Sequence, residues 1–264
     1  MAAGRGTLLW RRHVGDGTSI VACEPHRRDP SAGSCGRDTL LDTAACEALA
    51  SVPLENALPI REFFSWRGKR NYEGVWWSST TRHHVRFESL LEREFLLSAD
   101  FDGRVVAIAS QPLAVLWPRG TEGHKSHVPD FFCRLSDGDG RLVDVRRPDR
   151  LDGSAKQSDL TRRLCERVGW QYKVFTGLPT PRLENLRWLS GYRQDRYRPS
   201  DACGPHILDA FSAGTSLRAG VLHAARTSGV SSEVVQANVL NLLFTGALRV
   251  DIDSPLSMET EISA

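Results

Sequence analysis

Residues 87–150 constrain the fold of this chain more than any other stretch. They begin with FESLLEREFLLSADFDG, continue through VVAIASQPLAVLW, and end with HVPDFFCRLSDGDGRLVDVRR. The first part has apolar residues at helical spacing, and the rest has short apolar runs bounded by Gly, Asp and Pro, as is typical of strands. The pattern predicts a helix over residues 88–99, strands over 105–110 and 113–117, and a hairpin of 130–135 and 141–145.

Four acidic residues occupy defined places in these elements. Glu88 and Glu92 are four residues apart and share one face of the predicted helix. Asp130 begins one hairpin strand and Asp144 lies near the end of the other, so their carboxylates can converge on one ion. Oxygen ligands of this kind suit Mg²⁺, and Mn²⁺ as an alternative. The sequence predicts a metal site of Asp130, Asp144 and Glu92, with Glu88 as the alternative helix ligand.

Arg146 lies two residues beyond Asp144 and therefore on the same face of the strand. A divalent ion at the acidic cluster can lower the pKa of a water and neutralise charge on a phosphoryl group, as phosphodiester hydrolysis requires. Arg146 can stabilise such charge, but arginine is a poor general base. Gln111 is expected nearby as an orienting residue. The alternative is that these acids belong to exposed turns without a shared role.

The remaining sequence predicts an α/β nuclease-like domain between two different flanks. Residues 1–50 are expected to be a poorly ordered leader, with at most a short helix over 39–51. Residues 51–195 are expected to form a mixed sheet flanked by helices, and residues 196–264 a small winged-helix domain. The elements predicted after the hairpin are helices over 159–168, 183–192, 216–228 and 231–244, a strand over 170–175, and a wing of 248–252 and 258–262.

Charge and hydropathy add weaker constraints. The net charge of +2 is too small to indicate nucleic acid by itself, but arginine is locally clustered and interleaved with aromatic residues, a pattern that can bind a phosphate backbone. An aromatic hairpin laid on the core explains part of this pattern equally well. The candidate DNA contacts are Arg67, Lys69, Arg70, Arg82 and Arg147.

The last predicted helix carries Gln236, Asn238 and Asn241 but neither Lys nor Arg. Helices that read DNA usually bring phosphate contacts with them, so a protein-docking role for this region is favoured. No apolar run approaches the roughly 20 residues of a membrane span. The six cysteines include no CxxC pair, and a cytoplasmic location with reduced thiols is expected.

The ordered segments FESLLEREFLL, SQPL, HVPDFFCRL, VDVRRPDR and ENLRWLSGYR resemble those of TnsA-like endonuclease subunits of heteromeric transposases, in their actinobacterial form. The resemblance runs from about residue 58 to the C-terminus. It implies a restriction-endonuclease-like PD-(D/E)xK core followed by a winged-helix domain. Glu92 matches the helix acid of that family and Asp130 the acid of its PD pair. Asp144 matches a position held by an acid or Gln, and Arg146 one usually held by Lys.

The resemblance further implies Mg²⁺-dependent cleavage of double-stranded DNA at the 5′ strands of transposon ends. A DDE-type transposase subunit and an AAA+ ATPase regulator are the implied partners. Because Arg146 departs from the family pattern, a catalytically weak or inactive subunit that binds DNA and bridges the partners is the second hypothesis. A stand-alone restriction or repair nuclease is the third.

Overall fold

The computed structural model describes residues 18–23, 40–44, 47–60, 72–117 and 126–264. Its helices are α1 (Leu90–Phe101), α2 (Leu151–Val168), α3 (Thr180–Ser190), α4 (Gly204–Ala210), α5 (Leu217–Ser228) and α6 (Ser232–Phe244). Its strands are β1 (Ser19–Cys23), β2 (Leu40–Ala44), β3 (Gly74–Ser78), β4 (His83–Phe87), β5 (Val105–Ser110), β6 (Leu113–Leu116), β7 (Phe131–Leu135), β8 (Gly140–Val145), β9 (Gln171–Phe175), β10 (Thr215–Ser216) and β11 (Glu261–Ile262). The mixed α/β class predicted from the sequence is confirmed.

A four-stranded sheet in the order β5-β7-β8-β9 carries the candidate site. β7 is antiparallel to both β5 and β8, whereas β8 and β9 are parallel and are connected through α2. The turn between β7 and β8 includes Gly138 at a positive φ of 92°, a backbone conformation that glycine adopts without a Cβ clash. The predicted hairpin is therefore present, within one residue of its expected ends.

The two faces of this sheet pack against different helices. On one face, Phe131, Val143 and Val145 join Phe95 and Leu96 of α1 in an apolar cluster. On the other face, Phe132 and Leu142 pack with the apolar side of α2. Because side chains alternate along a strand, Asp144 between two α1-facing valines points to the α2 side. α2 begins eight residues before the helix predicted over 159–168.

A second sheet, in the order β2-β1-β6, includes two strands from the region expected to be a poorly ordered leader. β1 pairs antiparallel with both β2 and β6. Ile20 and Ala22 are buried with Leu113 and Val115 of β6. The predicted helix over 39–51 is also wrong, because its first part is β2 and only Glu47–Ser51 forms a 3-10 turn. β2 is a strand because it pairs with β1, and β1 in turn pairs with β6, which is distant in the sequence.

The β3–β4 hairpin is held to α1 by a buried carboxylate. Asp100 accepts hydrogen bonds from the Ser78 hydroxyl (2.7 Å), the Ser79 N–H (3.0 Å) and the Thr80 N–H (2.9 Å). The indole N–H of Trp76 also donates to it, at 3.3 Å. One side chain thus satisfies the donors of the turn and fixes the hairpin against the end of α1.

The last four helices share one apolar core, which Leu97 of α1 also enters. α5 and α6 begin within one residue of the predicted helices, and Ser216 caps α5 by accepting a hydrogen bond from the Ala219 N–H (3.2 Å).

The wing differs from its prediction. β11 pairs with β10, and Arg249 makes only an isolated bridge to Ser263. Within the described residues, no helix has the length and apolarity needed to cross a membrane.

Candidate active site

Adjacent strands bring Asp130 and Asp144 together. Phe131 pairs with Val143 across the β7–β8 ladder, so Asp130 and Asp144 are the next facing positions. Side chains at facing positions of an antiparallel pair lie on the same face of the sheet. The convergence predicted for the two carboxylates is the arrangement found.

Asp130 is held by Val145, the last residue of β8, and by Arg146, the residue after it. Its Oδ2 accepts hydrogen bonds from the Val145 N–H (2.7 Å) and from Nη1 of Arg146 (3.0 Å). Burial raises the pKa of Asp130, and the charge of Asp144 acts in the same direction against these two donors. The ionised form of Asp130 is therefore less favourable than that of an exposed aspartate, although Arg146 is nearby.

Asp144 is almost completely buried, with 1% of its side chain exposed, and its two oxygens have different surroundings. Oδ2 accepts hydrogen bonds from Nε2 of His127 (3.0 Å) and from the Tyr172 hydroxyl (2.6 Å). Oδ1 is buried and has no hydrogen-bond partner. Burial acts to raise the pKa of Asp144, but His127, Arg146 and Tyr172 outweigh it and hold that pKa below its ordinary value. An ionised carboxylate only accepts hydrogen bonds, so Nε2 of His127 carries the proton.

The Arg146 guanidinium lies between the two carboxylates. Nη1 is 3.0 Å from Oδ2 of Asp130, and Nη2 is 3.6 Å from Oδ1 of Asp144. About a quarter of the Arg146 side chain, 26%, remains exposed. Because guanidinium is always protonated in proteins, Arg146 partly neutralises the acidic pair and still faces solvent.

Glu92, the predicted third ligand, forms a capping box at the start of α1. The Ser89 hydroxyl accepts from the Glu92 N–H (3.2 Å) and donates to Oε1 of Glu92 (2.9 Å), and Oε2 accepts from the Glu88 N–H (2.7 Å). Burial, with repulsion from Asp130 and Glu88, raises the pKa of Glu92 to about 7 against these hydrogen bonds. Among the described residues, no three His, Cys, Asp or Glu side chains group as a metal site.

Gln111 and Glu88 lie together beside Asp130. The Gln111 N–H donates to the carbonyl of Asp130 (2.9 Å), and its amide Nε2 donates to Oε2 of Glu88 (3.3 Å). Gln111 is buried and has a positive φ of 45°, which is uncommon outside glycine. Strained residues of this kind concentrate at functional sites. The predicted orienting residue thus fixes the backbone at Asp130.

An open cleft of about 960 Å³ reaches Val145 and Arg146, which follow Asp144 in the chain. It is lined by Arg146, Arg147 and Arg150, and by residues at the first turns of α1 and α2. Arg150 was not among the predicted DNA contacts. Arg147 is 69% exposed and pairs with Asp149 at 3.0 Å. Three guanidinium groups and two helix N-termini, which carry partial positive charge, therefore line the same cleft.

The other predicted DNA contacts fall elsewhere. Arg82 forms an exposed ion pair with Asp195 (3.1 Å) and does not line this cleft. Arg67, Lys69 and Arg70 lie outside the described residues.

The two asparagines of α6 face inward. Asn238 donates to the carbonyl of Tyr197 (2.8 Å) and Asn241 to that of Tyr192 (2.7 Å), and both asparagines are buried. These side chains anchor the segment before α4 and are not available to bases. The structure thereby removes two polar groups with which α6 could have read DNA.

Sequence reasoning missed His127 and Tyr172, which contact Asp144. His127 stands two residues before the Pro129–Asp130 pair, and only this proximity could have pointed to it. Tyr172 is on β9, and its relation to Asp144 depends on the parallel β8–β9 pairing. No local pattern encodes that contact.

A scan against models of protein families gives no match to this chain, and a search of curated proteins also finds none.

Proposed function

We propose that this chain is a metal-dependent DNA endonuclease of the TnsA-like type, the subunit of a heteromeric transposase that cuts the 5′ strands at transposon ends. One observation carries the proposal: the acids of the PD and D-x-R segments lie at facing positions of one hairpin, buried, with Arg146 between them. Structural acids in exposed turns have no reason to be buried side by side.

The donor set fits Mg²⁺ or Mn²⁺. Oδ1 of Asp144 is a buried carboxylate oxygen without a hydrogen bond, and hard oxygen atoms of this kind are what these ions prefer. Mg²⁺ is commonly bound through one or two carboxylates together with substrate phosphates, so Asp130 and Asp144 would hold it. Glu92 would join them only after leaving its capping box. The ion would supply an acidified water and charge neutralisation at phosphorus.

The residues around the pair suit a phosphate backbone. Arg146 faces both the carboxylates and the cleft, so it can contact a phosphoryl oxygen while remaining near the reacting centre. Arg147 and Arg150 extend the positive wall along the cleft, and arginine binds phosphate in a bidentate manner. The first turns of α1 and α2 add backbone N–H groups, a common phosphate environment.

The C-terminal helices suit a partner better than DNA. The order α4, β10, α5, α6 and β11 follows the pattern of a winged helix, with a reduced wing. α6 has no basic residue, and its asparagines bind the chain itself. We therefore assign this region to docking of the DDE-type transposase or the AAA+ regulator.

A second candidate function is a catalytically inactive assembly subunit, which the position of Arg146 favours. Its guanidinium supplies positive charge to both carboxylates, as a bound ion would. If this interaction is never released, the site is only structural. The two candidates differ in whether DNA is cut.

Cleavage of transposon-end DNA tests the proposal directly. The full chain is incubated with Mg²⁺ or Mn²⁺ and the partner transposase, and compared with Asp130→Ala and Arg146→Lys. Asp139→Ala, in the exposed β7–β8 turn, is the matched control for removal of an acid from the same hairpin.

Cutting by the unaltered protein and Asp139→Ala, but not by Asp130→Ala, supports the nuclease. Cutting by Arg146→Lys alone indicates an intact site that Arg146 silences. If no variant cuts while all bind DNA or the transposase, the assembly function replaces the enzyme.

A further inference from the structure

The two side chains that donate to Asp144 bind only one of its two carboxylate oxygens. His127 and Tyr172 both donate to Oδ2, at 3.0 and 2.6 Å. Neither donates to Oδ1, although that oxygen is also buried. Buried polar atoms are nearly always hydrogen-bonded, so an unsatisfied carboxylate oxygen is an unusual feature of the site. One oxygen of Asp144 is fully occupied, whereas the other is left open toward Arg146.

Both donors are fixed by the backbone on which they stand. His127 forms an isolated bridge with Val115 of β6, through two hydrogen bonds of 2.7 and 3.0 Å. Tyr172 is in β9, at the position facing Leu142 of β8. One donor therefore comes from the segment that is bridged to β6. The other comes from β9, the parallel neighbour of the strand that carries Asp144. The carboxylate is held from two directions and has little freedom to rotate.

We propose that His127 and Tyr172 are positioning residues that orient Asp144 so that its Oδ1 is presented to a divalent cation. The proposal rests on the metal-dependent function proposed above. Partners of this kind, behind a metal ligand, commonly change metal affinity about 10- to 100-fold when they are removed. The competing explanation is that the two donors only stabilise a buried acid, in which case their loss changes stability but not cation affinity.

Mn²⁺ affinity of the full chain, measured by calorimetry without DNA, separates the two explanations. Tyr172→Phe removes one donor and keeps the ring, and His127→Leu removes the other. We expect each to weaken Mn²⁺ binding about 10- to 100-fold. His127→Gln keeps an N–H at a similar distance along the side chain, and we expect it to restore most of the affinity.

Tyr192→Phe is the matched control, because Tyr192 packs in the C-terminal core away from Asp144. It should bind Mn²⁺ as the unaltered protein does. Thermal unfolding of each variant without metal identifies any that fail to fold. If His127→Leu does not fold, Tyr172→Phe and His127→Gln still decide the result.

Unchanged Mn²⁺ affinity in folded Tyr172→Phe and His127→Leu would overturn the positioning role and leave the proposed function standing. If the unaltered protein shows no Mn²⁺ binding that Asp144→Asn removes, the metal site fails, and the positioning role fails with it. Weakened binding in both variants, with recovery in His127→Gln, supports the proposal.

Discussion

Replacement of Glu92 by Gln should change how stability depends on pH. The Glu92 side chain closes the capping box at the start of α1, and Gln performs the same capping role. The Gln oxygen can still accept from the Glu88 N–H, and its amide N–H can donate to the Ser89 hydroxyl oxygen in place of the bond that Ser89 donates to Glu92. The substitution therefore keeps the contacts of the capping box and removes the ability to ionise. The part of the stability difference that changes with pH reports the cost of the buried Glu92 charge beside Asp130.

The magnitude and the sign follow from the pKa of Glu92, which is raised from 4.5 to about 7. At about 1.36 kcal/mol per pKa unit, the difference corresponds to roughly 3 kcal/mol, and residual contact with water reduces it to about 1–2 kcal/mol. The unfolded chain releases this proton near pH 4.5 and the folded chain near pH 7. The free energy of unfolding contributed by Glu92 therefore falls as pH rises through this window.

Urea denaturation followed by tryptophan fluorescence, at about pH 4, 6 and 8, measures the difference. We expect Glu92→Gln to match the unaltered protein near pH 4 and to exceed it by about 1–2 kcal/mol near pH 8. Glu166→Gln, at an exposed position of α2, controls for loss of a surface carboxylate. The reasoning would be refuted if the free energies of unfolding of Glu92→Gln and the unaltered protein differed by the same amount at every pH. It would also be refuted if the variant were the less stable protein near pH 8.

Three further substitutions test the packing and the buried polar contacts, each by the free energy of unfolding in urea. Asp100→Ala leaves the donors of the β3–β4 turn without an acceptor, and should cost about 3 kcal/mol or more; a loss below about 1 kcal/mol would contradict this. Gly220→Ala places a Cβ 2.2 Å from the Phe211 ring and should cost about 1–3 kcal/mol. Its control Gly153→Ala, which meets nothing within 4 Å, should gain about 0.5–1 kcal/mol. Asn241→Ala leaves the half-buried carbonyl of Tyr192 without its donor and should cost about 1–3 kcal/mol. An unchanged free energy of unfolding would show that this hydrogen bond is dispensable.

The elements best predicted from the sequence are those whose signals are local. The β7–β8 hairpin has two apolar runs around a Gly-rich turn, and α5 has a capping serine and a final glycine, so both lie within a residue of expectation. β1 and β2 are five residues each, and β1 is stabilised by a partner strand far along the chain. A short stretch of sequence around such a strand does not contain the partner residues that stabilise it.

The same distinction applies to the candidate site. Spacing along β7 and β8 was enough to bring Asp130, Asp144 and Arg146 together. The Ser89–Glu92 spacing encodes the capping role of Glu92, but the same side chain also matches a metal ligand, and the spacing alone does not decide between the two roles. His127 and Tyr172 act on Asp144 through β6 and β9, so their roles required the tertiary pairing.

The position of β1 between β2 and β6 has a consequence for shortened forms of the protein. β6 consists of LAVL, and its first three residues are buried. A chain that begins after residue 50 would lack β1 and leave the backbone groups of β6 on that side unpaired. Apolar edges of this kind recruit strands from other molecules. Loss of the N-terminal segment should therefore appear first as self-association into aggregates, before any effect on chemistry can be measured.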